Sequence, residues 1–156
     1  QALIKSGLLP YGEICSLTNQ SPTLTYNLIG RHISRVVPTK IVNNQSPWLS
    51  SFEIGAVKQI AMSHGEGRLI ISPELYQELA LNGQIACQYS DLDGQATFDP
   101  YFNPNGTDYA IEALTSLDGR ILGKMGHSER MGPDLYKNIL GDKQQDIFIN
   151  GVNYFE

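Results

Sequence analysis

The sequence predicts a mixed α/β or α+β domain. Three observations carry that prediction: a complete start-to-stop helix signature between Ser72 and Gly83, an alternating stretch from Gln84 to Ser90, and strand-to-strand turns at Asp93-Gly94 and Asp118-Gly119. With 156 residues and 41% hydrophobic side chains, the chain is one globular unit able to bury roughly 70% of its unfolded surface, so no disulfide or metal is needed to hold a core. No internal repeat, heptad or low-complexity segment is present.

In chain order, Leu3, Ile4 and Leu8 recur at helical spacing before Pro10, and the chain is expected to open within a helix that began further upstream. Thr23 to Tyr26 and Val36 to Val42 alternate as two strands, and Pro38 is expected to confine the second to a sheet edge or a bulge. A loop is predicted at 43–47, then a strand over Val57 to Met62 that runs into the polar turn His64-Gly65-Glu66-Gly67-Arg68. Leu69-Ile70-Ile71 resumes the apolar character. Ser72 then caps a helix with Pro73 at its first position, Leu75 and Leu79 on its apolar face and Gly83 just past its end. After the strand 84–90, Asp93-Gly94 turns toward Ala96-Thr97-Phe98, and Tyr109 to Thr115 pairs with Arg120 to Met125 across Asp118-Gly119. A short helix is predicted over Asp134 to Leu140, and a last strand at Ile147-Phe148-Ile149.

Charge and composition exclude several function classes. A formal net charge of -5 removes the basic footprint of a nucleic-acid binder, and no window approaches the about 20 apolar residues that span a bilayer. No nucleic-acid or membrane partner is expected. Two cysteines, Cys15 and Cys87, and no secretory-type leader favour a reduced, cytoplasmic setting. Metal ligation is not expected, since there is no CxxC and no close pair of histidines.

The scarce chemical resource is three histidines. His127 and Glu129 are two residues apart, a spacing that projects both side chains to one side of an extended backbone, where a carboxylate holds an imidazole for proton transfer to a thiol or hydroxyl nucleophile. From spacing alone, a surface ion pair at a strand end is the commoner reading. His64-Gly65-Glu66-Gly67-Arg68 places a base, an acid and a guanidinium around two glycines; a glycine-bent polar turn is an equal reading, and the spacing is not that of a phosphate loop. The nucleophile is missing: there is no Gly-x-Ser-x-Gly elbow, Cys87 lies inside a strand pattern, and nothing near Cys15 marks it as activated.

Four blocks in this order, Gln1 to Pro10, His64 to Arg68, Asn103-Pro104-Asn105-Gly106-Thr107 and Gly126-His127-Ser128-Glu129-Arg130, resemble the carboxy-terminal glutaminase domain of the phosphoribosylformylglycinamidine synthases, a class I, triad-type glutamine amidotransferase. The likeness runs from Gln1 to the Val152-Asn153-Tyr154-Phe155 tail. It implies a flavodoxin-like class I amidotransferase fold, with residues 1–156 forming the later portion of one glutaminase domain. It further implies that His127 is the general base and acid and Glu129 its orienting carboxylate. The nucleophilic cysteine would sit on an elbow, Cys-Asn-Gly-x-Gln, whose last residue is Gln1, and so would lie upstream of this chain.

By the same resemblance glutamine is the substrate, Gln1, Asn27 and Arg31 are candidate binding residues, and His64, Glu66 and Arg68 form a block that contacts either the glutamine pocket or the synthetase domain. Mg-ATP belongs to the synthetase region of the parent chain, which is the expected partner, and this segment needs no cofactor of its own. Many members carry Pro where Ser128 stands, which implies a less rigid turn here. A noncatalytic module docking on a synthetase, and the glutaminase domain of a different amidotransferase, are the rival readings. An unpaired sheet edge would also favour self-association.

Overall fold

The computed structural model describes residues 1–156. The elements are α1 (Ala2–Lys5), α2 (Leu8–Tyr11), β1 (Thr23–Thr25), β2 (Ile33–Ile41), β3 (Val57–His64), β4 (Arg68–Ile70), α3 (Pro73–Leu81), β5 (Ile85–Tyr89), β6 (Ile111–Thr115), β7 (Leu122–Lys124) and α4 (Ile147–Phe155). Five strands form one sheet in the order β3-β2-β5-β6-β7, and β1 pairs β4 in a separate ribbon. Every pairing is antiparallel. The sheet curls: β3 and β7 are its two ends, yet His127, just beyond β7, bridges back to Ala61 on β3. The mixed α/β character expected from the sequence is therefore present.

Local chemistry explains most elements. Ser72 Oγ accepts from Leu75 N at 3.1 Å and Pro73 opens α3, so the cap satisfies a donor that the first turn leaves free. Leu75 and Leu79 of that helix enter the largest apolar cluster with Ile4, Leu9, Leu24 and Ile111, which ties α1, α2, β1 and α3 to the sheet. Ser116 and Asp118 close the β6-β7 turn, with Ser116 Oγ donating to Asp118 Oδ1 at 2.6 Å.

Four expectations are corrected. Pro38 is not on an edge, because β2 lies between β3 and β5. Its carbonyl accepts from Ser90 N, so its missing N–H faces the β5 side just past the point where that ladder ends at Thr39↔Tyr89. Ala96 to Phe98 is no strand; a single bridge, Ser90↔Ala96, remains, because Asp91 Oδ1 takes the amides of Asp93 and Gln95 into a turn.

Residues 134–140 form turns and not a helix. Leu135 and Leu140 are exposed, so no apolar face exists to stabilise so short a helix, and Tyr136 sits at φ 54°. The last apolar run is helical and not extended. Ile147, Asn150 and Gly151 bury one face of α4, Asn150 Nδ2 donates to Trp48 O at 3.0 Å, and a Cβ on Gly151 would meet the Trp48 ring at 2.2 Å.

Candidate active site

The curl of the sheet sets the position of His127. Its amide donates to Ala61 O at 2.8 Å, which fixes the residue against β3 while the chain arrives from β7. Glu129 is reached across a turn closed by Arg130 N to His127 O, and not along an extended strand as the spacing predicted. Within that turn His127 Nδ1 lies 2.7 Å from Glu129 Oε1. A carboxylate only accepts, so Nδ1 carries the proton and Nε2 is left free for proton transfer. Burial is the largest single influence on the Glu129 carboxylate and works against its charged form, but its own backbone amide, the His127 ring and Arg130 together outweigh it and hold it below the usual range. Ser128 faces inward, nearly buried, with Oγ donating to Gln145 Oε1 at 2.6 Å. A hydrogen bond thus braces the turn at Ser128, where the lack of a proline was expected to leave it less rigid.

His64, at the end of β3, stacks beside His127 with ring centroids 6.5 Å apart. Asn105 orients it: Asn105 Nδ2 donates to the Tyr89 hydroxyl at 2.9 Å, so Oδ1 accepts from His64 Nε2 at 3.1 Å and leaves Nδ1 open. Burial keeps His64 below the ordinary histidine range; Asn105 opposes, His127 adds to the lowering, Glu112 opposes and His32 adds. Gly67 is required here, since a Cβ would lie 2.3 Å from His64 Nε2.

Among the remaining sequence-predicted residues, Gln1 Nε2 donates to Glu66 Oε2 at 2.5 Å, which brings the first residue to the His64 turn. An open polar groove of about 630 Å³ joins Gln1, Tyr26, Arg31, His32, His64 and Glu66. Arg31 is exposed there and makes no ion pair. Asn27 is buried behind the groove: its amide donates to His64 O and Arg31 O and accepts from Gly67 N, so it shapes the loop and has no group free for a ligand. Arg68 Nε donates to Gly106 O at 3.1 Å and clasps the His64 turn to the Asn105 turn. Neither cysteine is an exposed thiol. Cys87 is fully buried and burial pushes its thiol up to about 12, while Cys15 packs on Gly7, whose added Cβ would meet Sγ at 2.5 Å.

The sequence marks Asn103 to Thr107 only as one of the four family-like blocks, with no role for Asn105. Asn105 is in fact fully buried and orients His64. Glu112 is not among the sequence-predicted residues, although a carboxylate within the apolar run Ile111-Glu112-Ala113-Leu114 is a readable signal that a buried partner exists.

An imidazole held by a carboxylate, beside a polar groove on a curled α/β scaffold, is an arrangement chemically able to transfer protons. The chain belongs to the CobB/CobQ-like glutamine amidotransferase domain family, which it matches over residues 1–155. Its relatives include the phosphoribosylformylglycinamidine synthase subunit PurQ of Salinibacter ruber, 30% identical over 154 residues that cover 99% of this chain and 59% of the relative. The PurQ subunit of Chlorobaculum parvum is 33% identical over 86% of this chain and 48% of its own. The Homo sapiens phosphoribosylformylglycinamidine synthase is 35% identical over 84% of this chain and 10% of its own. The chain spans about half the length of the PurQ relatives it matches. The structure of PurLQS from Thermotoga maritima superposes with a TM-score of 0.68 at 24% identity, covering 100% of this chain and 58% of that one, which shows the shared fold.

Proposed function

We propose that this chain is part of the glutaminase domain of a phosphoribosylformylglycinamidine synthase, where it supplies the proton-transfer pair and one wall of the glutamine pocket. The observation that carries the reading is the His127–Glu129 contact at 2.7 Å beside a groove that also holds His64, Glu66 and Gln1. In this reading a cysteine from outside residues 1–156 attacks the glutamine carboxamide and forms a tetrahedral oxyanion. His127 Nε2 takes the thiol proton and delivers it to the departing ammonia, and a glutamyl thioester remains. His127 next activates water to release glutamate, while Glu129 stabilises each imidazolium form. Glutamine is a zwitterion at its far end, and Arg31 and Glu66 offer one charge of each sign to its carboxylate and ammonium. Ammonia leaves for a synthetase region of the parent polypeptide, which is where Mg-ATP would act.

The test uses the full-length polypeptide that carries this domain. It should release ammonia from glutamine, and His127→Ala should lower that rate by roughly 10²–10⁴-fold, the usual worth of a positioned acid–base group. Amidation driven by added ammonia should persist in the variant. Retention of glutamine-driven turnover in His127→Ala would remove His127 from the mechanism.

A further inference from the structure

The backbone that delivers His127 uses three different acceptors in three successive residues. Met125 N donates to Glu112 O on β6, Gly126 N donates to the Glu112 carboxylate at 2.7 Å, and His127 N donates to Ala61 O on β3. The middle link is therefore a side chain. Its carboxylate has no solvent exposure, and its other oxygen lies 2.7 Å from Lys124 Nζ, which is itself only 9% exposed. Gly126 permits the approach: a Cβ there would lie 2.9 Å from Glu112 Oε1 and 2.4 Å from Ile60 Cδ1.

Burial lowers the Lys124 ammonium's affinity for its proton, but the Cys87 sulfur and the Glu112 carboxylate more than offset this and the net direction is upward. With the Cys87 thiol pushed up to about 12 and hence neutral near pH 7, Glu112 is the effective counter-charge. A buried ion pair is poor evidence for stability, because desolvation opposes the Coulombic gain; replacing it by apolar side chains is often neutral. Here the pair has a directional task, since backbone carbonyls satisfy both neighbouring amides and none serves Gly126.

We infer that Glu112, held by Lys124, is a positioning residue that fixes the seam of the curled sheet at Gly126 and thereby the placement of the His127 imidazole. This rests on the glutaminase reading above for its kinetic consequence, but its structural half stands independently. Two charge-free variants of the full-length polypeptide separate the directional role from the charge: E112Q/K124M keeps an acceptor for Gly126 N–H, and E112L/K124M has none.

In E112L/K124M the kcat for glutamine hydrolysis should fall about 100-fold, the scale of a ~1 Å misplacement, with KM within about twofold. E112Q/K124M should recover most of that loss. Hydrogen exchange at the Gly126 amide should quicken in E112L/K124M and stay slow in E112Q/K124M, a readout that needs no catalysis. Melting temperatures report whether each variant folds. Unchanged kcat or unchanged Gly126 protection in E112L/K124M would overturn the inference. Should that variant fail to fold, a kcat in E112Q/K124M as low as that of Glu112→Ala would overturn it instead. If the unaltered polypeptide releases no ammonia at all, the glutaminase reading fails, and the exchange comparison still decides the role of Glu112.

Discussion

His64 shows how one residue couples environment to pH. It is neutral in the fold because burial disfavours its charged form and His127 and His32 add to that effect, against Asn105 and Glu112. Its folded value lies below the unfolded value of about 6.5. Above that pH both states are neutral and the residue contributes nothing to pH dependence. As pH falls through about 6.5 the unfolded chain takes up the proton first, so stability declines until the folded value is reached. The melting temperature should therefore drop on acidification below about 6.5, and His64→Asn should flatten the drop; an equal slope in both proteins would refute the assignment. The His127–Glu129 pair was legible in the sequence because its two members are neighbours along the chain. The partners of Asn105 and Glu112 were not, since His64 at a separation of 41 residues and Lys124 at 12 are brought to them only by the fold.

At the scale of elements, legibility followed the completeness of local signals. The α3 segment carries cap, N1 proline, acidic first turn and terminal glycine, and the structure places it at Pro73–Leu81 as expected. Replacement of Ser72 by Ala removes the acceptor for Leu75 N and should cost about 1 kcal/mol, read as a lowered denaturation midpoint with an unchanged slope. No change in midpoint would mean that Leu75 and Leu79 packing alone fixes the helix start. The α4 segment lacked such signals. A run of three apolar residues fits strand and helix equally, and the choice fell to Trp48, whose ring accepts only a glycine against it. The 134–140 segment failed for the converse reason, having a plausible start at Gly132-Pro133-Asp134 but nothing to bury.

Over the whole molecule, the His127–Glu129 pair is assembled with neither sulfur of the chain brought to it. Cys87 is enclosed between β5 neighbours, Lys124 and β6, and a thiol pushed up to about 12 is not a nucleophile near neutral pH. Cys15 is only partly exposed and packs on Gly7, in the loop that follows α2. Nothing brings either side chain into the groove of Gln1, His64 and Glu66. The expected outcome is that the 156-residue chain by itself releases no ammonia from glutamine above the uncatalysed background, measured by a coupled glutamate dehydrogenase assay. The variant Cys15→Ser should behave identically. Turnover by the chain alone that Cys15→Ser or Cys87→Ser abolishes would locate the nucleophile inside this segment. Absence of turnover, together with glutaminase activity in the full-length polypeptide that His127→Ala removes, would assign the proton transfer to this segment and the attacking thiol to the rest of the parent chain.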